Sequence, residues 1–235
     1  MTQLSPANAE RLRLAFERCR DMEGTLSEQL QTYASAGRDI FPAYSEAVDR
    51  LVVRLKENGG GESAPRPGEI MPPFMLPDET GRLVTLDSLI REGPLVVMFY
   101  RGHWCPYCRL NVSAAIKARD QIATLGGQIV AIMPETQKYT QRFKSESGAP
   151  FPVLTDLDNG YALSLNLAIW VGAEIQQLLS YLDIPRFHGS NDWMLPIPAT
   201  FVVGRDGLVK ARFADPDFRN RMEIDDLIAA VGNAI

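Results

Sequence analysis

The feature that most constrains this chain is a short apolar segment that leads directly into two cysteines. Residues 95–100 read LVVMFY, which is typical of a strand buried on both faces, and the run breaks at Arg101. Cys105 and Cys108 follow in the sequence WCPYCR, where a helical pattern begins. A buried strand that delivers Cys-x-x-Cys to the first turn of a helix is typical of a redox-active dithiol.

The start of a helix also favours a reactive thiol, because the thiolate is the nucleophile and an ordinary cysteine is mostly protonated at pH 7. A helix dipole supplies roughly 0.3–1 kcal/mol, whereas one pKa unit corresponds to about 1.4 kcal/mol. The free N–H groups of the first turn and the cations Arg101 and Arg109 must therefore supply the rest. Pro106 suits the first helical position, and Trp104 beside Cys105 is expected to report oxidation by fluorescence.

A structural zinc site and a pair of inert buried thiols are the alternatives for these two cysteines. Zinc needs four ligands and usually a second Cys or His pair at defined spacing. The remaining candidates, Cys19, His103 and His188, are scattered along the chain. The sequence therefore predicts a dithiol that works without a metal or other cofactor.

Composition bounds the class of protein and its partners. Of the 235 residues, 46% are hydrophobic and 23% charged, and the net charge of −5 argues against nucleic acid or an anionic membrane as a partner. The N-terminus lacks a secretory-signal pattern, and no apolar run approaches the ~18 residues of a membrane span. Three cysteines do not make a disulfide framework. We therefore expect a protein of the reducing cytoplasm.

Residues 1–57 predict a helical extension made of two amphipathic helices. Gly37 and Phe41-Pro42 indicate the break between them. Cys19 lies on the apolar stripe of the first helix and is predicted to be a small core residue. Because two helices bury little on their own, we expect them to pack on the main domain or to form a homodimer.

Residues 58–68 (NGGGESAPRPG) predict a linker, and residues 69–235 predict the main domain. In this domain short strands and helices are expected at regular intervals. The predicted strands are 74–76, 83–86, 95–100, 128–133, 153–155, 200–203 and 208–213, and the predicted helices are 108–125, 136–147, 160–167 and 223–235. From residue 95 onward this order is that of an α/β, thioredoxin-like fold, a central mixed sheet flanked by helices.

Residues 170–198 predict an insertion near the active site or at a subunit contact. A helical stretch, AEIQQLLSYL, is followed by a polar and aromatic loop. His188 in this loop is a candidate general base, although a lone loop histidine is more commonly solvated.

Three stretches resemble a known family: PGEIMPPFMLPDETGRLVTLDSL, GPLVVMFYRGHWCPYCRLNVSA and LPIPATFVVGRDGLVKARFADPDFRNR. The chain resembles the peroxiredoxin-like proteins of the alkyl hydroperoxide reductase / thiol-specific antioxidant family that carry a Cys-x-x-Cys. The resemblance spans residues 67 to about 221, and the helical extension is also similar to this subgroup. It implies a thioredoxin-like fold and thiol peroxidase chemistry.

The site departs from the pattern of typical peroxiredoxins, Pro-x-x-x-Thr/Ser-x-x-Cys. With Cys108 aligned to the peroxide-attacking cysteine, Cys105 stands where the threonine belongs and Arg101 where the proline belongs. Typical peroxiredoxins bring an arginine from the start of a later strand. That position is Pro198 here, which resembles the cis proline that faces Cys-x-x-Cys in thioredoxins. Arg101 is the candidate cation in place of that arginine.

A proton acceptor is less clearly indicated. Thioredoxins carry a buried Asp six residues ahead of the first cysteine, where this chain has Phe99. Glu135 is then the nearest candidate, with a favourable position at a helix start as its alternative role. The motif CPYC also occurs in glutaredoxins, whose glutathione-binding elements are not evident elsewhere in this sequence.

The resemblance implies a peroxidase that reduces hydrogen peroxide or organic hydroperoxides. One thiolate becomes a sulfenic acid, the second cysteine condenses with it to the Cys105–Cys108 disulfide, and a thioredoxin-like or low-molecular-weight thiol restores the dithiol. Alignment favours Cys108 as the attacker, whereas thioredoxin geometry and expected exposure favour Cys105. The alternatives are a thioredoxin-like protein disulfide reductase and a non-catalytic binding module.

Overall fold

The N-terminal region folds into three helices, so the prediction of two was wrong. The computed structural model describes residues 4–234. Its first elements are α1 (Pro6–Asp21), α2 (Leu26–Ile40) and α3 (Pro42–Glu57). The missed break lies at Gly24, which has φ +131°, and Thr25 and Glu28 form a capping box that starts α2. Gly37, the predicted break, lies inside α2.

The remaining elements alternate between short strands and helices. In chain order they are β1 (Met75–Pro77), β2 (Leu83–Thr85), α4 (Leu86–Ile90), β3 (Leu95–Phe99), α5 (Pro106–Thr124), β4 (Gln128–Met133), α6 (Gln137–Ser147), β5 (Val153–Thr155), α7 (Gly160–Ser164), β6 (Ala168–Trp170), α8 (Ala173–Leu178), α9 (Ile184–His188), β7 (Met194–Pro196), β8 (Ala199–Val203), β9 (Val209–Ala214) and α10 (Ile224–Gly232). Two-stranded pairs form between β1 and β2 and between β6 and β7.

A five-stranded mixed sheet carries the main domain, in the order β5-β4-β3-β8-β9. Strands β3, β4 and β5 are parallel, whereas β8 is antiparallel to both β3 and β9. Helices cover both faces of the sheet, and each face has its own core. The predicted α/β fold, a central mixed sheet flanked by helices, is confirmed.

Strand β3 lies in the middle of the sheet and ends at the candidate site. Its five side chains are at most 1% exposed, which explains the uninterrupted apolar run. The N–H of Tyr100 still donates to the carbonyl of Ile132, at 2.9 Å, so the chain leaves the sheet only at Arg101. The central strand therefore fixes where the Cys-x-x-Cys segment begins.

The three N-terminal helices share a core with α5 and α10 on one face of the sheet. Tyr33 of α2 packs edge-to-face on Tyr107 of α5, with ring centroids 5.2 Å apart. Cys19 is 2% exposed within the same core, as predicted. The helical extension therefore covers the end of α5 at which the two cysteines lie.

The predicted linker segment runs along β9. The Arg212 guanidinium donates to the carbonyl oxygens of Gly61 and Ala64, at 3.0 and 2.7 Å. Ile197, just before β8, packs against the same stretch of backbone. These contacts fix the path of the chain between α3 and β1.

The inserted segment that contains α8 and α9 packs beside the site. Glu174 of α8 forms an ion pair with Arg50 of α3, at 2.6 Å. His188 is only 2% exposed, so the expectation of a solvated loop histidine was wrong. The cause is the short helix α9, which closes against the site loop: the N–H of Thr136 donates to the carbonyl of Phe187. Across residues 4–234, no helix has the length and apolar character needed to cross a bilayer.

Candidate active site

Cys105 and Cys108 lie at the N-terminal end of α5. Cys105 is the N-cap residue, Pro106 is the first helical residue, and Cys108 lies in the first turn. Both cysteines are free thiols, and both are 0% exposed. The expectation that Cys105 would be the more exposed sulfur was wrong, because helices α1–α3 cover this end of α5.

The surroundings of the two thiols move their pKa values apart. Burial opposes the charge on Cys105, but a hydrogen bond from Cys108 and the charges of Arg101 and Arg221 outweigh burial and lower the pKa of Cys105 to about 6. Burial and the adjacent Cys105 thiolate raise the pKa of Cys108. Of the two thiols, Cys105 is therefore the one that ionises more readily.

Arg101 supplies the first of these charges from the end of the central strand. Its side chain is 3% exposed, and its guanidinium carbon lies 3.8 Å from the ring centroid of Phe218 and 5.1 Å from that of Trp104. Burial opposes the charge, but the Tyr44 hydroxyl and the two thiols raise the pKa of Arg101 above its ordinary value. The backbone N–H of Arg101 also points at the Sγ of Cys108, at 3.4 Å.

Arg221 supplies the second charge, and sequence reasoning missed it. Its side chain is 5% exposed, Nη1 donates to two backbone carbonyls, and Nη2 lies 3.6 Å from the Sγ of Cys108. Arg221 lies between β9 and α10, 113 positions from Cys108, so spacing gave no signal. Arg109, which was expected to contribute, is exposed and lies over the ring of Phe16.

Among residues 4–234, neither buried guanidinium has a carboxylate partner. No Asp or Glu oxygen of these residues lies within 4.0 Å of Arg101 or Arg221, although other arginines are paired in this way. A buried charge is costly unless an opposite charge or hydrogen bonds compensate for it. The Cys105 thiolate is therefore the anion that these two cations face.

Glu135 fixes the loop between β3 and α5. Its Oε2 accepts the backbone N–H of His103 at 2.8 Å, and Nδ1 of His103 lies 2.7 Å from its Oε1. The His103 ring packs between Tyr139 and Phe187. At Gly102, with φ +145°, an added Cβ would lie 2.8 Å from Oε1, so only glycine fits. These contacts make Glu135 an anchor of the loop that carries the thiols.

We expect Glu135→Gln to lower the free energy of unfolding by about 1–3 kcal/mol, because one of the two oxygens that contact His103 becomes an amide NH₂ group, which cannot accept a hydrogen bond. Urea denaturation of the reduced protein measures the loss. The matched control is Glu146→Gln, which alters an exposed pair with Arg142 and should cost less than about 0.5 kcal/mol. Equal effects of the two substitutions would contradict the anchoring role of Glu135.

Pro198 does not adopt the predicted cis form. Within the part of the chain that the structure describes, no peptide bond is cis. The chain runs extended from β7 straight into β8, and the N–H of Ile197 donates to the carbonyl of Leu167 at 2.7 Å. Continuous extended backbone on both sides of Pro198 is compatible with the trans bond. Pro198 is buried at the start of β8.

His188 lies behind the site loop rather than in solvent. Burial lowers the pKa of His188 to about 4, so the imidazole is neutral at pH 7. The ring contacts the backbone of Arg101, and its Nε2 has no hydrogen-bond partner among the described residues. His188 therefore packs against the segment that holds Arg101.

Comparison with known families identifies the domain that carries this site. The model of the AhpC/TSA family matches residues 67–212, more than half of the 235-residue chain. This chain belongs to the AhpC/TSA family. The matched residues include both cysteines and Arg101, whereas Arg221 and the three N-terminal helices lie outside them.

Individual relatives of this AhpC/TSA protein are distant. It is 30% identical over 92 residues to chloroplastic peroxiredoxin Q of Sedum lineare and 28% identical over 92 residues to the putative peroxiredoxin bcp of Coxiella burnetii. These segments cover 39% of this chain and 49% and 60% of the two relatives, so the chain spans only about half of their length. The crystal structure of peroxidoxin BcpB from Mycobacterium tuberculosis superposes with a TM-score of 0.57 at 19% identity, over 73% of this chain and 99% of that one.

Outside the AhpC/TSA match, the N-terminal helices complete a cavity of about 280 Å³ that opens onto Cys105. We call this cavity the chamber. Cys105 forms part of its wall, whereas Cys108 does not among the described residues. The residues that define it are Phe16, Tyr33, Gly37, Phe41 and Tyr44 of the helices, Arg101, Trp104 and Cys105 of the site, and Leu179 and Leu182 of the insertion.

Proposed function

We propose that this protein is a thiol-dependent peroxidase that reduces a hydroperoxide through a Cys105/Cys108 dithiol–disulfide cycle. The observation that carries the proposal is the charge arrangement at the start of α5. Cys105 has a lowered pKa, a second thiol donates a hydrogen bond to it, and two buried guanidinium groups without carboxylate partners flank the pair. Membership of the AhpC/TSA family supports the same chemistry.

The cycle balances with the residues of the site. The Cys105 thiolate attacks the terminal oxygen of R–O–O–H, the O–O bond breaks, and a sulfenic acid forms while the alkoxide leaves and takes up a proton as R–OH. The sulfur of Cys108 then attacks the sulfenic sulfur, the S–S bond forms, and water leaves. An external dithiol restores both thiols by exchange.

We assign the attack to Cys105 rather than Cys108. Cys105 is the thiol with the lowered pKa and the one that lines the chamber. Arg101 lies beside it, where a cation stabilises both the thiolate and the negative charge that develops on the leaving oxygen. Cys108, with its raised pKa, suits the role of resolving thiol, because it holds the proton until the sulfenic acid has formed.

A protein disulfide reductase is the second candidate, and membership of the AhpC/TSA family favours the peroxidase over it. A protein substrate, like a protein reductant, would reach the buried thiols only after the helical cover opens. A non-catalytic binding module is disfavoured because nothing in such a role accounts for a thiol with lowered pKa between two buried cations.

Stopped-flow fluorescence tests the proposal. The reduced protein, freed of reductant without air, is mixed with hydrogen peroxide or an organic hydroperoxide while Trp104 fluorescence is followed. We expect a second-order rate constant at least about 100-fold above that of a free thiol of the same pKa, because the cations stabilise the leaving oxygen. A rate no better than that of the free thiol, in protein that still reduces insulin disulfides, would favour the disulfide reductase.

The pH dependence of this oxidation follows from the pKa of Cys105. Below that pKa the sulfur is protonated and unreactive, so the rate should rise through pH about 6 and stay level from about pH 7 upward. The oxidation rate of a free thiol measured in parallel should keep rising to about pH 8.5. A protein profile that follows the free thiol would show that the flanking cations do not activate Cys105.

The partners of the cycle are part of the proposal. We expect a thioredoxin-like protein or a low-molecular-weight thiol to be the reductant, in a reducing compartment such as the cytoplasm. A homodimer is also proposed from the amphipathic character of the N-terminal helices, one face of which packs on the main domain of the same chain. Light scattering of the intact chain measures its mass directly.

A further inference from the structure

The chamber is larger and more apolar than the reduction of hydrogen peroxide requires. Its volume is about 280 Å³, whereas a water molecule occupies roughly 30 Å³ of the liquid, and hydrogen peroxide has one more oxygen atom. Its apolar lining includes the rings of Phe16, Tyr33 and Phe41 and the side chains of Leu179 and Leu182. Sites for organic molecules have this composition, an apolar wall with a few converging polar groups.

The polar groups of the chamber converge near its reactive end. Arg101 interacts electrostatically with the Cys105 sulfur and donates a hydrogen bond to the hydroxyl oxygen of Tyr44. Both groups line the chamber together with Cys105. A hydroperoxide bound there would place its oxygens among these three groups and its organic group against the aromatic wall.

Among residues 4–234, two of the four arginines that line the chamber are paired with carboxylates, whereas Arg101 faces the Cys105 thiol and Arg109 lies over the ring of Phe16. Arg13 is held by Glu10 and Glu17, at 2.6 and 2.5 Å. Arg219 is held by Asp217 and Asp49, both at 2.8 Å. An arginine that is already paired with two carboxylates adds little electrostatic attraction for a carboxylate or phosphate group on the ligand.

We propose that the chamber binds the apolar organic group of a bulky hydroperoxide, of the aryl-alkyl class, and that the N-terminal helices help to select the substrate. The inference rests on the proposed peroxidase activity. The part of the chamber wall that α1, α2 and α3 supply lies outside the AhpC/TSA match, whereas Leu179 and Leu182 lie inside it, so the extension adds to a specificity that the matched domain shares. Burial of the organic group would add binding energy that hydrogen peroxide cannot supply.

The test compares cumene hydroperoxide with hydrogen peroxide in single-turnover oxidation of the reduced, full-length protein. Each rate constant is divided by that of dithiothreitol with the same oxidant. We expect the normalised value for cumene hydroperoxide to exceed that for hydrogen peroxide at least about tenfold, since one extra methylene in an apolar pocket already gives about 10- to 200-fold. Equal normalised values, both well above 1, would contradict substrate selection by the chamber and would still support the proposed peroxidase activity. Values near 1 for both oxidants would overturn the peroxidase itself.

A substitution at Gly37 tests whether the helices form the selecting wall. Gly37 lines the chamber, and a Cβ added there meets no atom of residues 4–234 within 4 Å. We expect Gly37→Phe to fill part of the chamber and to lower the cumene hydroperoxide rate at least about tenfold more than the hydrogen peroxide rate. The matched control is Ser35→Phe, which adds the same ring to an exposed position of α2. If Gly37→Phe slows both oxidants equally, the inference fails.

Two further measurements keep the test decisive if Gly37→Phe does not fold. Ala34→Phe introduces a ring at another position of the chamber wall and should show the same split between the oxidants. In the unmodified protein, cumyl alcohol, the product of cumene hydroperoxide reduction, should slow alkylation of Cys105 by iodoacetamide in a saturable manner. An absence of protection at millimolar cumyl alcohol would contradict binding of an aryl group in the chamber.

Discussion

Cys105→Ser is expected to lower hydroperoxide turnover by at least about 1,000-fold, because serine at this position has no thiolate to attack the O–O bond. Cys108→Ser should behave differently. It retains the attacking sulfur, so it should react once with hydroperoxide and accumulate a sulfenic acid that a dimedone-type probe traps. Peroxide consumption and mass spectrometry of the probe adduct measure the two outcomes.

Each variant is the matched control of the other, since both remove one buried sulfur from the N-terminal end of α5. Similar melting temperatures would show that any difference in reactivity is chemical rather than structural. If the adduct appears on Cys105→Ser and not on Cys108→Ser, then Cys108 is the attacker, and the assignment from pKa and chamber position is wrong. If neither variant forms an adduct while the unmodified protein does, the two sulfurs act only as a pair.

Arg101→Met is expected to cause the second-largest loss in the rate of reaction with hydroperoxide at pH 7. An opposite charge beside a thiol lowers its pKa by about 1–3 units, so removing Arg101 should raise the pKa of Cys105 from about 6 toward 8. At pH 7 the thiolate fraction would then fall about tenfold, and lost stabilisation of the leaving oxygen should lower the rate further. Methionine keeps the apolar stem between Phe218 and Trp104.

The pH profile separates the two contributions of Arg101. If the cation acts only through the pKa, raising the pH to about 9 should restore most of the rate of Arg101→Met. A deficit that persists at high pH measures the contribution to the leaving oxygen. The control is Arg119→Met, an exposed position on α5 whose arginine pairs with Asp120, and it should leave rate and profile unchanged. An unshifted profile for Arg101→Met would contradict its role.

Four strands of the central sheet, β3, β4, β5 and β8, could be predicted because their side chains are buried on both faces. Residues 128–133 were predicted as a strand with the bounds that β4 has, and the hairpin of β8 and β9 followed from Asp206-Gly207. The start of α5 was also clear, since Pro106 is compatible with the first turn of a helix but not with its interior. In these segments local sequence and tertiary structure favour the same conformation.

The missed features depend on contacts between distant segments. The break at Gly24 lies in a stretch of helix-forming residues, and only the capping box at Thr25 marks it. Arg221 reaches Cys108 through the packing of the loop before α10, which no spacing rule describes. Burial of His188 and of both thiols follows from how α9 and the N-terminal helices close over the site. Such contacts are decided by three-dimensional packing rather than by periodicity.

The cover formed by α1–α3 has a consequence for the second half of the cycle. A hydroperoxide can enter the chamber of about 280 Å³ whose wall includes Cys105, whereas a protein reductant is too large to enter it. Reduction by a protein therefore has to wait for local opening of the helical cover, a motion with its own rate and free energy. In the proposed cycle the hydroperoxide would then reach Cys105 through the chamber, whereas the protein reductant would reach the disulfide by a second, slower route that requires the helices to open. At high reductant concentration, the rate at which the dithiol is regenerated would then equal the rate at which the helical cover opens.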